Sequence, residues 1–480
     1  MKIKNHYLLF LALIAFLSCK TEKEEESRLL GEKPNIIIIM ADDLGNGDVG
    51  YHGSDIKTPN IDRLSREGIV LNRFYVAPVC SPTRAGLMTG RYPDRFGLRE
   101  TVIPPWRDFG VDTTEVFLPE ILARAGYKNR AALGKWHLGH SRKYYHPLKR
   151  GFTHFYGHYN GAIDYFTHKR EGELDWHNDF ETSYDKGYAT DLITEEAVKS
   201  IRDYSGESPF FLYIAYNAPH GPLQAKKEDL LKYGFEADKP LFSKKKGYGE
   251  TGRGNTRRQT YSAMVTSMDQ GIGKIMKTLK KLGIEKNTLV LFLSDNGPAP
   301  HEGGTTAGLR GHKFQEWDGG VRVPAVMKWP DGLEGGRTVD QVMGYIDVLP
   351  TLKEIAGIKT QPEKTLDGVN MLPVLKGKKQ KRERDFYLGY GAIVNTKWKL
   401  VKKNSRNTRM RVNENMLFNM QEDPGETTNI KEKHSEIFEK LKQTVDNYDA
   451  IESKQEVLPY EDGKKGFKAP REWNIEDYPE

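Results

Sequence analysis

The chain has 480 residues, 37% hydrophobic, 29% charged and 11% aromatic. This globular composition excludes a disordered or fibrous class and allows one large domain with a smaller companion. The net charge of +7 is a mild excess that fits an anionic substrate or a lysine-rich surface. Internal repeats, a Gly-rich phosphate loop and a Cys/His zinc pattern are all missing from the sequence, and nothing in it points to nucleic acid.

At the N-terminus, Lys2 and Lys4 precede an apolar run from Tyr7 to Leu17, then Ser18 and Cys19. A basic start, a short apolar segment and a small residue predict a secretory signal over 1–19. Leu17-Ser18-Cys19 resembles a bacterial lipoprotein cleavage site, although Phe16 stands where Leu is more usual. The expectation is an exported chain, lipid-anchored through Cys19 at the cell envelope (outer membrane or periplasm), with plain secretion as the alternative. Residues 20–33, beginning "KTEKEEESR", read as a flexible acidic tether. With Cys19 set aside, Cys80 is the only cysteine left in the folded part. A lone cysteine in an exported protein is either a buried structural residue or a chemical one.

The apolar runs that follow share one form. Asn35 to Met40, "NIIIIM", leads into Asp42 and Asp43. Ile61 to Gly68 has a helical pattern, and "CSPTRAGLMTG" from Cys80 opens as a helix with Pro82 in its first turn. Val116 to Ala125 reads as a helix before the run Asn129 to Leu133, which enters "GKWHLG" with Lys135 and His137. A long insertion rich in aromatics, Ser141 to Asp179, precedes a helix over Tyr188 to Arg202. The strand Pro209 to Tyr216 then runs into Asn217 and His220. Lys244 to Arg258 reads as an exposed loop, Thr260 to Leu282 as a helix, and Thr288 to Ser294 as a strand entering Asp295 and Asn296.

Continuous apolar runs suit strands buried on both faces. Their alternation with helices predicts an α/β fold, a large mixed but mostly parallel central sheet flanked by helices, over 34–375. In such sheets the functional crevice lies at the strand carboxyl ends, where each polar cluster stands. Past the charged connector "KGKKQKRERD", strands at Asp385 to Leu388 and Trp398 to Lys402 and a helix over His434 to Tyr448 predict a second unit. That unit is a smaller C-terminal α+β subdomain over 376–480, with a small antiparallel sheet.

Asp42, Asp43, Asp295 and Asn296 are hard oxygen donors at two strand ends, a set that suits Ca²⁺ or Mg²⁺ rather than zinc. A single Asp there is usually a turn or cap; two matched pairs are a stronger signal. Arg84, Lys135 and Lys313, with His137 and His220, would crowd positive charge into the same crevice. That crowding is costly unless a tetrahedral oxyanion sits among them. Cys80 at a helix start could be a thiolate nucleophile, yet soft sulfur is an odd choice beside a hard ion.

Cys80-Ser81-Pro82-Thr83-Arg84, followed by "AGLMTGR", resembles the C-x-P-x-R segment of type I sulfatases in the alkaline-phosphatase superfamily. With "PNIIIIMADDLG", "GKWHLG", "YNAPHGP", "LSDNGP", "GHKFQEWDGGVRVP" and "DPGETTNI", the resemblance spans Pro34 to Ile430. It implies that a separate formylglycine-generating enzyme oxidises Cys80 to the aldehyde Cα-formylglycine, whose hydrate attacks sulfur. It further implies Ca²⁺, with Mg²⁺ second, held by Asp42, Asp43, Asp295, Asn296 and the modified residue 80. By the same resemblance Arg84 orients the diol, Lys135 and Lys313 bind sulfate oxygens, and His137 takes a proton from the second hydroxyl. His220 or Lys313 protonates the leaving oxygen. Thr83 stands where Ser or Ala is frequent, and His312 where Gly is common, so His312 would narrow the pocket.

The segment "GAIDYFTH" looks like the arylsulfatase B-type, N-acetylgalactosamine-4-sulfatase branch, which makes His158, Asp164, His168 and His312 candidate sugar contacts. The expected substrate is a sulfated glycan, a glycosaminoglycan or an algal polysaccharide such as ulvan or carrageenan. Two alternatives stay open on the sequence. One is a phosphate ester or phosphonate hydrolase with a related site; the other is a non-catalytic glycan-binding lipoprotein whose Cys80 is never matured.

Overall fold

The computed structural model describes residues 33–475 apart from 100, 207, 244–246, 361–362, 380, 404–406, 454 and 457. The signal segment, Cys19 and the tether before Lys33 lie outside the described residues. Among those residues no helix is long and apolar enough to cross a membrane.

A ten-stranded sheet organises the chain. Across it the order is Arg337–Val339, Ile69–Leu71, Ala325–Lys328, Thr288–Ser294, Asn35–Ala41, Phe211–Ala215, Arg130–Lys135, His154–His158, His177–Asn178 and Glu181–Thr182. The central strand, Asn35–Ala41, pairs in parallel with both Phe211–Ala215 and Thr288–Ser294. Arg130–Lys135 and then His154–His158 continue the parallel run. Ala325–Lys328 is antiparallel to both of its neighbours, as are the short strands beyond His154–His158. The sheet is therefore mixed but mostly parallel.

The isoleucine run explains why this strand is central. Ile36, Ile38 and Met40 enter the core on one side of the sheet, while Ile37, Ile39 and Ala41 enter the core on the other. All six are fully buried, and each large side chain contributes roughly 1.5–3 kcal/mol by leaving water. Helices cover the sheet, notably Ala189–Tyr204 and the 25-residue Arg257–Lys281, which supplies Tyr261, Met264, Met268 and Ile275 to the second core.

The C-terminal part forms a four-stranded antiparallel sheet of Phe386–Gly389, Ala392–Val394, Trp398–Val401 and Met416–Asn419. The helix Ser435–Asp449 buries Phe438, Leu441 and Val445 against it. This small sheet shares the first core with the larger part: Tyr92 meets Tyr387 edge-on at 5.5 Å, and Tyr387 stacks on Tyr448 at 5.0 Å. A buried ionic cluster adds a second tie. Lys399 lies 2.8 Å from Asp318 and 2.7 Å from Glu426, and Glu426 also accepts from the Asp318 backbone N–H.

Register sets the site. Ala41 stands opposite Ser294, so Asp42 and Asp295 leave the sheet side by side. The ladder runs one step further, the Asp295 N–H donating to the Ala41 carbonyl and the Asp42 N–H to the Ala218 carbonyl, both at 3.0 Å.

Candidate active site

Four parallel strand ends deliver the polar groups to one place. Asp43 follows the central strand with φ at 65°, a left-handed conformation that turns the chain sharply, and its N–H donates to Asp295 Oδ1 at 3.2 Å. Asn296 Nδ2 donates to Asp43 Oδ1 at 2.7 Å. Lys135 ends its strand and donates to Asp42 Oδ2 at 2.5 Å; Lys313 donates to Asp43 Oδ1 at 2.5 Å. Arg84 lies one helical turn after Cys80 and grips Asp295 Oδ2 through Nε and Nη2, at 3.1 and 2.8 Å. Its Nη1 donates to the Lys135 carbonyl at 3.0 Å. His220 Nε2 faces Asp43 Oδ2 at 3.8 Å, while its Nδ1 meets the Gly221 carbonyl at 2.6 Å.

Three buried carboxylates thus face three buried cations. Burial pushes the Asp43 carboxyl up, but Lys313 and His220 together hold it well below the usual carboxylate range. Burial and the Asp42 charge raise Asp295 to about 6 against the pull of Arg84. Burial works against the Lys313 ammonium, yet the Asp43 charge holds it above its ordinary value.

Two oxygens of this cluster have no hydrogen-bond partner: Asp42 Oδ1 and Asn296 Oδ1, both buried. Unpaired buried oxygens are costly, and a hard divalent cation is the occupant that satisfies a set of carboxylate and amide oxygens. Asp42, Asp43 and His220 also place ligand atoms within 4.8 Å of one another. The residues present fit a hard cation, with His220 at the edge of the oxygen set.

Cys80 is the first residue of the helix Cys80–Thr89 and is 3% exposed. Its Sγ lies 3.3 Å from His137 Nδ1. The His137 Nε2 lies 2.9 Å from the Ile103 carbonyl. A carbonyl only accepts, so Nε2 carries the proton and Nδ1 presents a lone pair to residue 80. Burial, then Lys135 and Arg84, push the imidazolium form down, so His137 is neutral. Gly161 is required beside it, because a Cβ there would stand 2.4 Å from His137 Cε1. Burial also pushes the Cys80 thiol up despite Lys135 and Lys313, which leaves the sulfur protonated and argues against a thiolate nucleophile.

Cys80, His137, His220 and Lys313 line a cavity of about 510 Å³; Arg84, Lys135 and the acids lie behind it. Residues 34–358 match the Sulfatase family model. The chain belongs to the sulfatase family. A second model, described as N-sulphoglucosamine sulphohydrolase, C-terminal, matches residues 312–450 of this sulfatase. It is 35% identical over 385 residues to N-acetylgalactosamine-6-sulfatase of Mus musculus, covering 75% of this chain and 69% of the relative. Arylsulfatase J of Mus musculus is 34% identical over 364 residues, covering 74% of this chain and 58% of that one. The crystal structure of Ps i-CgsB in complex with k-i-k-neocarrahexaose is similar at a TM-score of 0.77 and 32% identity, over 89% of this chain and 95% of that one. The chain is accordingly a sulfuric ester hydrolase of the alkaline-phosphatase-like superfamily.

The expected sugar contacts fare differently from the strand-end residues. None of His158, Asp164 and His168 lines the cavity of the sulfatase; all three are buried behind its wall. His158 Nδ1 bonds the Asn160 carbonyl and its ring stacks on Trp176; His168 stacks on the same ring and bonds the Gly187 carbonyl. Asp164 caps a turn, accepting from the N–H groups of Phe166, Thr167 and Gly249 and from Gln224. The "GAIDYFTH" segment acts on the site indirectly, since the Tyr165 hydroxyl holds the carbonyls of Asn217 and His220 at 2.5 and 2.9 Å. His312 turns Nδ1 to the Lys313 carbonyl and is also absent from the lining. The lining residues that the sequence reading missed include Arg99, Arg170, Phe314, Arg409 and Tyr460. Phe314 stands inside "GHKFQEWDGGVRVP" beside Lys313, and Arg170 inside the aromatic-rich insertion, whereas Arg99, Arg409 and Tyr460 come from remote segments that carry no motif.

Proposed function

We propose that this sulfatase releases sulfate from a sulfated glycan, through a formylglycine made from Cys80 and with Ca²⁺ held by Asp42, Asp43, Asp295 and Asn296. The observation that carries the reading is Cys80 on the cavity wall, within reach of His137 Nδ1 and backed by Arg84, Lys135 and Lys313. A protonated, buried thiol is a poor nucleophile, which favours an oxygen nucleophile derived from that side chain. When bound, the cation would supply Lewis acidity toward a sulfate oxygen and the nucleophilic hydroxyl.

The chain's own groups account for the rest. Arg84, at the helix start beside residue 80, fixes that side chain's surroundings through its double contact with Asp295. Lys313, on the cavity wall, and Lys135, behind it, would bind sulfate oxygens and stabilise charge that grows during transfer. His137, neutral with Nδ1 free to accept, is suited to take a proton from a hydroxyl on residue 80 and so expel sulfate. His220 and Lys313 flank the cavity where the departing alcohol oxygen needs a proton. The three carboxylates and three cations cancel, so a divalent ion would leave two positive charges, matching a doubly charged sulfate product.

Glycan substrates are supported by the cavity volume, sufficient for a sugar unit, by a relative named N-acetylgalactosamine-6-sulfatase and by a similar structure solved in complex with k-i-k-neocarrahexaose. With Cys80 only 3% exposed, the maturing enzyme would have to act before the site closes. Export and anchoring through Cys19 complete the proposal, on the strength of the N-terminal sequence. The test is sulfate release from defined sulfated galactose and N-acetylgalactosamine oligosaccharides. Wild type is expected to turn over at least one, and Cys80→Ala none, while both show the same thermal melt. Equal release by the two proteins would refute the assigned nucleophile.

A further inference from the structure

Beyond the groups around residue 80, the cavity wall holds three arginines: Arg99, Arg170 and Arg409. Two are committed to the protein. Arg99 pairs with Asp94 and donates to the carbonyls of Tyr448 and Asp449; Arg170 pairs with Glu171 and bonds the Tyr248 hydroxyl. Arg409 is different. It is exposed, and no carboxylate among the described residues pairs with it.

Its position is nonetheless fixed. The guanidinium lies 3.9 Å from the Phe314 ring centroid, and Lys313 Nζ lies 5.6 Å from the same centroid. The two cations are therefore separated by no more than the sum of those distances, close enough for one disaccharide to meet both. Phe314 keeps its place with φ at 77° and an N–H donated to the Pro78 carbonyl. The turn carrying Arg409 is bolted to this loop from the C-terminal subdomain. Asn407 Nδ2 bonds the Phe314 carbonyl and the buried Glu316 carboxylate, Gln315 Nε2 bonds the Arg409 carbonyl, and Met410 is buried beside them. A cation without a carboxylate partner among the described residues, held on an aromatic face in a cavity wall, is arranged for an external anion.

We propose that Arg409 forms a subsite for a second anionic substituent of the glycan, a carboxylate or a further sulfate ester, placed about one sugar away from the sulfate being cleaved. The proposal rests on the glycan-sulfatase reading and names a narrower substrate class, glycans bearing two anions. Arg409 does not touch the reacting atoms, so it governs affinity and leaves the chemical step alone.

The test compares wild type, Arg409→Ala and Arg409→Lys on three N-acetylgalactosamine or galactose disaccharides: monosulfated and otherwise neutral, monosulfated with a uronate, and disulfated. Loss of one charge-assisted, bidentate contact should raise KM for a two-anion probe about 10- to 100-fold in Arg409→Ala, with kcat retained. Arg409→Lys should fall between, and the neutral probe should be unaffected, which also reports an intact fold. Whether the uronate or the disulfated probe suffers identifies the second anion. Equal losses on all three probes, or no loss on any, would overturn the subsite. No sulfate release by wild type from any probe would instead overturn the glycan-sulfatase reading beneath it.

Discussion

Asp42 Oδ1 and Asn296 Oδ1 sit within a cluster in which Lys135, Lys313 and Arg84 grip one oxygen each of Asp42, Asp43 and Asp295. Those cations neutralise the acids but leave the two oxygens unserved, and a hard cation would serve both. Binding to the folded state alone raises stability by mass action, about 2.7 kcal/mol at a hundredfold excess over Kd. Thermal melts of the wild type should therefore rise on adding Ca²⁺ and fall back with a chelator. In Asn296→Ala the Ca²⁺ response should shrink, because one hard donor is gone. A melt indifferent to Ca²⁺ in wild type would count against the ligand set. The strand-end residues were legible because parallel strands deliver their ends to one edge, so a motif after each strand is a spatial statement. His158, Asp164 and His168 were not, because a dense run of aromatics does not say which face of the wall a side chain occupies. Arg409 offered no signal, since its meaning depends on Phe314 arriving beneath it from 95 positions earlier.

At the scale of elements, Lys399, Asp318 and Glu426, all fully buried, form an ionic link between the two sheets. Asp318 also accepts from the Tyr75 hydroxyl, so the cluster joins the small antiparallel sheet to the segment leading into the Cys80 helix. Burial drives Glu426 up to about 7 against the pull of Lys399, while Asp318, for all its burial, is held below its ordinary value by Lys399 and Arg322. Replacing the lysine strands two carboxylates in the interior. Lys399→Met should cost about 3–5 kcal/mol in denaturant unfolding, the penalty for breaking a buried pair from one side. A loss below 1 kcal/mol would show that the cluster is dispensable. The sequence motifs "WDGG" and "DPGE" contain both acids, but only the structure reveals their shared lysine. The main strands themselves read cleanly: "NIIIIM" and "TLVLFLS" have no polar face, and both proved to be covered on each side. Helix ends shifted by up to three residues, as at Arg257, which begins its helix three positions ahead of the first expected helical residue, behind a Thr256 cap.

Across the whole molecule, the cavity is a joint product of remote parts of the chain. The parallel strand ends supply His137 and His220, the four-stranded unit supplies Tyr390 and Arg409, and the C-terminal tail brings Tyr460. That tail is fastened by Trp106 Nε1 to the Tyr460 carbonyl and by Arg107 to the Leu458 carbonyl, while Trp473 reaches back to the Arg170 carbonyl. Its return was invisible in the sequence because it has no apolar period and its anchors are backbone carbonyls, which any residue carries. All these parts converge on residue 80, and the account stands on what that residue becomes. The decisive measurement is the mass of the peptide containing residue 80, isolated from protein shown to release sulfate. The account predicts a peptide lighter than the encoded one by the replacement of a thiol with an aldehyde, and reactive toward a hydrazide. An unaltered cysteine at position 80 throughout an active preparation would contradict it.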